Sequence, residues 1–182
     1  MGTLTRRDLA GYAAQYRHQV QALPSLLRTA LEQTGEKALE RNLAEEEGGD
    51  GPAHAALWER FAQALDARPE EPLTETRASA EQLRALCEEG PLPALASLWA
   101  YEMQTARVAR TKREGLARYG VSEVAFFALH EQLDVHHAAD LLAAIERRCG
   151  TDERLQQLAC DAASRSARAQ WLFLDGAARR RS

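Results

Sequence analysis

The sequence is poor in valine and isoleucine, with five valines and one isoleucine among its 182 residues. Alanine, leucine, glutamate and arginine dominate instead, and this composition favours helices over sheets. No stretch alternates between apolar and polar residues in the way that a strand does, and no internal repeat is present. The sequence therefore predicts an all-α fold, a single helical bundle of about seven helices that spans residues 1–182.

Cysteine pairs, long apolar runs and a positive net charge are also missing. The three cysteines are an odd number without C-x2-C spacing, which argues against a disulfide scaffold or a zinc knuckle. No signal-like stretch begins the chain, and no run approaches the roughly 18 apolar residues that cross a membrane. The net charge of −4 gives no sign of a nucleic-acid footprint. We expect a cytoplasmic protein that binds neither membranes nor nucleic acids.

Local signals divide the chain into helices. Thr5 followed by Asp8 resembles a capping box and predicts the start of the first helix, which Pro24 is expected to end or bend. Residues 92–118 contain no strong breaker and are predicted to form one long helix. A helix predicted from Val121 to about Arg147 follows it, and the chain is organised around this helix.

That helix carries His130, Asp134 and His137 at steps of four and three residues, which place the three side chains on one face. The residues around them are apolar and are typical of a helix that is buried on most of its surface. Burying ionisable groups is costly unless they are paired or bound to a metal. The stripe therefore predicts a metal site, whereas His136 lies about 100° away and is expected to face elsewhere.

One helix cannot close a site for two metals, so further ligands have to come from other helices. Candidates are the run Glu45–Glu47 at the end of the second helix, His54 across the glycine turn, and Glu102 in an apolar stretch. Each has a simpler explanation: a solvated helix end, a surface histidine, and a buried partner of an arginine. Together with the stripe, they make a set of three carboxylates and three histidines that suits two first-row metal ions.

Five motifs occur in order along the chain: Asn42-Leu43-Ala44-Glu45-Glu46-Glu47-Gly48-Gly49, His54-x2-Leu57-Trp58-x2-Phe61, Tyr101-Glu102-x-Gln104, Phe126-x3-His130-x3-Asp134-x2-His137 and Trp171-x-Phe173-Leu174-Asp175-Gly176. This set resembles the haem-oxygenase-like dimetal oxidases over almost the whole chain. The branch that it resembles most contains the chlamydial protein associating with death domains, whose relatives are labelled coenzyme PQQ synthesis protein C-like or TenA-like. The resemblance implies a haem-oxygenase-like bundle with a dinuclear iron, or mixed iron–manganese, site that activates O2.

The resemblance also implies which residues bind the two metal ions. Carried over position by position, they are Glu47, His54, Glu102, His130, Asp134 and His137. Glu47 is chosen over its neighbour Glu46 on spacing across the glycine turn. An external reductant is implied with O2, and a homodimer is expected for this fold.

The same branch is associated with making p-aminobenzoate from the protein's own residues, a tyrosine supplying the ring and a lysine the amino group. Lys112 matches the position of that lysine, and Tyr12 and Tyr16 are candidate redox-active or sacrificial tyrosines. Spacing alone leaves Lys112 open as a solvent-facing lysine and the two tyrosines as core residues. Family members usually have a further segment with a tyrosine before Gly2-Thr3-Leu4-Thr5, and we expect this chain to lack it.

Three functions remain compatible with the sequence. The first is a dimetal oxidase that acts on its own residues or on an external small molecule. The second is a metal-free, thiaminase-like enzyme on the same fold, which needs a pocket cysteine beside a carboxylate. Cys87, Cys149 and Cys160 lie near helix ends or in the last helix, which argues against it. The third is a non-enzymatic binding or regulatory protein.

Overall fold

The structure, a computed structural model, describes residues 4–49 and 51–179. Within them lie eight α-helices, one short 3-10 helix (Ala117–Tyr119) and no strand, so the predicted all-α fold is confirmed. The helices are α1 (Arg6–Thr34), α2 (Lys37–Glu46), α3 (His54–Ala64), α4 (Thr74–Glu88), α5 (Pro91–Glu102), α6 (Thr105–Leu116), α7 (Ala125–Cys149) and α8 (Glu153–Arg179). The predicted domain limits at residues 1 and 182, and Gly2 and Thr3 at the chain's start, lie outside the described residues.

Helix α1 begins as predicted but does not end where proline suggests. The hydroxyl of Thr5 accepts a hydrogen bond from the Asp8 backbone at 3.1 Å, and the Asp8 carboxylate accepts one from the Thr5 backbone at 2.7 Å. Pro24 lies inside the helix, which continues to Thr34. The leucines on both sides, Leu23 and Leu27, are buried in the bundle. Their packing outweighs the backbone hydrogen bond that Pro24 cannot make.

The predicted helix over residues 92–118 is two helices, because a turn at Met103 and Gln104 separates α5 from α6. This turn contains no helix-breaking residue. The hydroxyl of Thr105 donates to the carbonyl oxygen of Tyr101 at 2.7 Å, and such a side-chain bond competes with regular helix bonding. The division accounts for eight helices where about seven were predicted. It also leaves Glu102 as the last residue of α5.

The buried side chains form two cores. The aliphatic core is made mainly of leucine and alanine from α1, α2, α4, α5, α7 and α8, and includes Leu27, Leu39, Leu83, Leu86, Leu95, Leu98 and Leu141. The aromatic core is formed by α1, α3, α6 and α7 around Trp58, Phe61, Phe126 and Phe127. Helix α7 contributes to both, so its middle turns lie at their junction. No helix in the described part of the chain is long and apolar enough to cross a lipid bilayer.

Candidate metal centre

Three helices bring Glu46, His54 and His130 together inside the bundle. Glu46 ends α2, His54 begins α3, and His130 lies near the start of α7. One ligand atom from each residue lies within 4.8 Å of the other two, and all three side chains are buried. The Nδ1 atom of His54 is 2.7 Å from Oε1 of Glu46, and Nε2 of His130 is 3.8 Å from the same oxygen. Two imidazoles and a carboxylate arranged in this way could hold one metal ion.

A second group lies one turn further along α7, where Asp134 and His137 meet Glu102 at the end of α5. Their ligand atoms also lie within 4.8 Å of one another, and the three residues are buried. Nδ1 of His137 is 3.6 Å from Oδ1 of Asp134, and its Nε2 is 2.8 Å from Oε2 of Glu45. This group offers two carboxylates and one imidazole, a harder ligand set than the first.

Neighbouring residues orient the ligands of both groups. Nδ1 of His130 donates to the backbone carbonyl of Phe126 at 2.7 Å, which leaves the lone pair of Nε2 for a metal ion. The amide of Asn42, on α2, donates to Oε1 of Glu102 at 3.1 Å. Such outer contacts fix the direction in which a ligand atom points and help to determine metal affinity.

The structure places five of the six predicted ligands in these two groups and places Glu47 outside both. Glu47 lies just beyond the end of α2 with a half-exposed side chain, and it forms an ion pair with Arg28 at 2.5 Å. Its neighbour Glu46 is 5% exposed and occupies the place predicted for Glu47. Adjacent residues differ by about 100° around a helix, so an error of one residue in the spacing exchanges an inward for an outward side chain.

The buried carboxylates of the centre favour the binding of cations. Burial, followed by the charge of Asp134, raises the pKa of Glu102 to about 8. Burial acts to lower the pKa of His137, but the hydrogen bond with Asp134 and the charge of Glu102 outweigh it and raise that pKa to about 9. Oδ2 of Asp134 is buried without a hydrogen-bond partner among the described residues. Crowded buried carboxylates with an unused oxygen fit a site in which metal ions supply the positive charge.

The tyrosines and the lysine predicted to take part in the reaction lie together, beside the centre. We call Tyr12, Tyr16, Tyr101 and Lys112 the tyrosine–lysine cluster. Nζ of Lys112 donates to the hydroxyl of Tyr12 and lies 4.3 Å from the centre of that ring and 5.2 Å from that of Tyr16. The hydroxyls of Tyr16 and Tyr101 are 3.1 Å apart. Lys112 therefore faces the aromatic core and not the solvent.

The cluster adjoins the metal ligands through two of its tyrosines. Tyr16 and Tyr101 line a small cavity of about 10 Å³ that is also bounded by Glu46, Glu102 and Asp134. At the other end of the cluster, burial lowers the pKa of the Lys112 amine to about 7. An amine that is largely uncharged just above neutral pH thus lies one aromatic layer away from the centre.

Sequence reasoning gave no role to two residues that contribute to the site, Tyr101 and Asn42. Tyr101 precedes Glu102 in one of the five motifs but was given no role, although its hydroxyl contacts Tyr16. Asn42 lies four residues before Glu46, a spacing that places both on the same face of α2. Glu45, which belongs to the candidate run Glu45–Glu47, contacts His137 from a partly exposed position. The motifs contain these residues, but the spacing within a motif does not show which face of a helix turns inward.

Cysteine takes no part in either group of ligands. Cys87 and Cys149 lie in the aliphatic core, and Cys160 is exposed. A thiaminase-like enzyme would need a cysteine beside a carboxylate in its pocket, so the geometry favours metal chemistry.

Comparison with known families decides among the remaining functions. A family model described as "iron-containing redox enzyme" matches residues 10–171. The chain belongs to this family. It is therefore an oxidoreductase of the haem-oxygenase-like class, as the ordered motifs predicted, and iron is the metal that its family indicates.

Relatives named 4-aminobenzoate synthase are similar over most of their length. A 4-aminobenzoate synthase of Nitrosomonas europaea is 34% identical, over 96% of this chain and 80% of the relative. One from Chlamydia trachomatis is 36% identical, over 80% of this chain and 68% of the relative. The crystal structure of a CADD-like protein of unknown function from Nostoc punctiforme superposes with a TM-score of 0.80 at 16% identity, covering 97% of this chain and 84% of that one, which supports the fold.

Proposed function

We propose that this protein is a 4-aminobenzoate synthase that uses two metal ions and O2 and makes its product from its own residues. A tyrosine of the chain supplies the ring, and Lys112 supplies the amino nitrogen. The observation that carries the proposal is the tyrosine–lysine cluster, in which an amine touches one tyrosine while two others border the metal ligands. The names of the relatives agree with it.

Each group of three ligands would hold one ion. Glu46, His54 and His130 would hold the first, and Glu102, Asp134 and His137 the second, with iron in both or iron paired with manganese. When bound, the pair supplies activation of O2 and oxidising power. The proposal also includes an external reductant as a source of electrons. A homodimer and a cytoplasmic location stay predictions from the sequence.

Burial sets the protonation states of the tyrosines and of Lys112. Burial is the main cause that raises the pKa values of Tyr12 and Tyr101 far above the ordinary value, so both hydroxyls keep their protons near neutral pH. Lys112 is mostly uncharged above about pH 7, and its lone pair is then free to form a bond to carbon. The centres of the Tyr12, Tyr16 and Phe127 rings lie 4.3, 5.2 and 5.9 Å from the amine.

The test uses the fact that the chain has only two lysines, Lys37 and Lys112. In a Lys37→Arg variant grown with lysine labelled with ¹⁵N on its side chain, Lys112 is the sole labelled residue. The protein is loaded anaerobically with Fe(II), alone or with Mn(II), and then exposed to O2 and a reductant. We expect ¹⁵N-labelled 4-aminobenzoate by mass spectrometry, together with a loss of mass from peptides that carry Lys112 and Tyr12 or Tyr16.

The matched control is Lys112→Arg with Lys37 retained, which keeps a basic side chain in the aromatic core. Its yield of ¹⁵N-labelled product should be at least a hundredfold lower than that of the Lys37→Arg protein. Unlabelled product from the Lys37→Arg protein would show that Lys112 is not the nitrogen source. An unchanged protein mass without any 4-aminobenzoate would contradict self-sacrificing synthesis and leave oxidation of an external small molecule.

A further inference from the structure

A second, larger cavity lies on the other side of the tyrosines from the metal ligands. It measures about 120 Å³, and its walls include Tyr12, Tyr16, Phe126, Phe127 and Phe173. Aromatic faces pack well against another aromatic ring. An engineered apolar cavity of roughly 150 Å³ in another protein binds benzene, so a space of this size suits a single ring and not two fused rings.

The cavity has one end suited to an anion. Lys112 is the only lysine, arginine or histidine among the described residues that line it, and no aspartate or glutamate is among them. Nζ of Lys112 lies 5.9 Å from the centre of the Phe127 ring, inside the aromatic wall. An anion beside this amine would favour its ammonium form and would receive charge-assisted hydrogen bonds.

One wall of the cavity separates it from the metal ligands. Tyr16, Tyr101, Thr105 and Phe126 separate this cavity from the small one at the metal ligands, because all four residues line both. Behind that wall lie the buried carboxylates of Glu46, Glu102 and Asp134. The ligand carboxylates do not line the larger cavity, so Lys112 is the charged side chain that a carboxylate bound there can contact directly.

We propose that this cavity binds a single-ring aromatic carboxylate and that the bound carboxylate holds Lys112 as an ammonium ion. The identity of the natural ligand, 4-aminobenzoate, rests on the proposed function. An ammonium group has no lone pair and cannot form a bond to carbon. When product has accumulated, its binding would then prevent the reaction in protein molecules that have not yet reacted. Such feedback preserves chains that are consumed by their own reaction.

The first test is calorimetric titration of the metal-loaded protein, kept free of O2, with 4-aminobenzoate, benzoate, aniline and 2-naphthoate. The two single-ring acids should bind once per chain, with at least tenfold higher affinity than aniline, which lacks the carboxylate, and than 2-naphthoate, which has two rings. Lys112→Met should weaken benzoate binding at least tenfold but leave aniline binding unchanged. Lys37→Met, which alters an exposed lysine, should match the wild type.

Equal affinity for benzoate and aniline, or benzoate binding that survives Lys112→Met, would overturn the assignment. The second result would place the carboxylate on the metal ions instead. A fold check by circular dichroism accompanies both variants, and unchanged aniline binding shows that the cavity of Lys112→Met is intact.

The second test asks whether occupancy stops synthesis. Benzoate at twenty times its dissociation constant is added before O2, and the newly made 4-aminobenzoate is measured. We expect at least a tenfold lower yield than without benzoate, and an equal amount of aniline should have no such effect. Tight binding with an undiminished yield would contradict the feedback. If no product forms even without benzoate, the proposed function fails, and the titration alone decides whether the cavity binds aromatic acids.

Discussion

The two cores of the bundle differ in chemistry as well as in composition. In the aliphatic core, Leu27, Leu39, Leu86 and Leu95 have no exposed surface, and their side chains have no polar atoms. The aromatic core also contains a buried polar group, because Nε1 of Trp58 donates to the backbone carbonyl of Ala13 at 3.0 Å. Close leucine packing provides stability, whereas rings of the aromatic core line a cavity of about 120 Å³.

The metal centre lies where the two cores meet. Glu46 and Glu102 come from α2 and α5, which pack in the aliphatic core, while His54 comes from α3 in the aromatic core. Helix α7 crosses both and supplies the remaining ligands. This arrangement gives the ligands a rigid support on one side and access to tyrosines and an amine on the other. The two cores should therefore respond differently to substitution.

The largest effect is expected at the junction itself, where Glu46→Ala should abolish one of the two metal sites. After anaerobic loading with Fe(II), iron measured by mass spectrometry should fall from two ions per chain to one or fewer, because His54 and His130 alone leave the ion with too few ligands. Glu47→Ala is the matched control, since its side chain is half-exposed and paired with Arg28. Loss of iron from Glu47→Ala with retention in Glu46→Ala would restore the assignment made from the sequence.

The pattern on α7 could be read from the sequence because it depends on helix geometry alone. Steps of four and three residues place His130, Asp134 and His137 on one face of any α-helix. The choice between Glu46 and Glu47 depends instead on where α2 ends and how the following loop turns. Helix ends are set by competing backbone and side-chain contacts, which spacing within a motif does not reveal.

A leucine of the aliphatic core should affect stability and not metal binding. Leu27→Ala removes a side chain that has no exposed surface, and the cavity that it leaves should lower the free energy of unfolding by about 2–5 kcal/mol. Urea unfolding of the metal-free protein measures the change. Leu158→Ala, at a leucine that is 43% exposed on α8, should stay within about 0.5 kcal/mol of the wild type. A Leu27→Ala protein that folds but binds fewer than two iron ions would contradict the separation of roles.

The position of Lys112 could not be predicted because it depends on the turn at Met103 and Gln104. A continuous helix would have set the direction of Lys112 by its spacing from Glu102. The turn instead gives α6 its own direction, and the amine of Lys112 lies over the Tyr12 ring. No residue of that turn is a helix breaker, so the change of direction follows from tertiary packing and from the Thr105 hydroxyl bond.

The smallest effect concerns the pH dependence of stability, which the aromatic core should show through Lys112. Burial lowers the pKa of its amine from 10.5 to about 7, so between pH 7 and 10 the unfolded chain binds more protons at this residue than the folded one. The free energy of unfolding should therefore rise with pH in this window, by at most about 1.4 kcal/mol per pH unit from this residue. Below pH 7 the amine is protonated in both states and its contribution to the slope disappears.

Urea unfolding at pH 7, 8 and 9 should show a smaller slope for Lys112→Met than for the wild type. Lys37→Met, at an exposed position, serves as the control for loss of a lysine. Equal slopes for all three proteins would mean that Lys112 stays charged in the folded state, and the aromatic core would then hold an ammonium ion and not the free amine that synthesis requires.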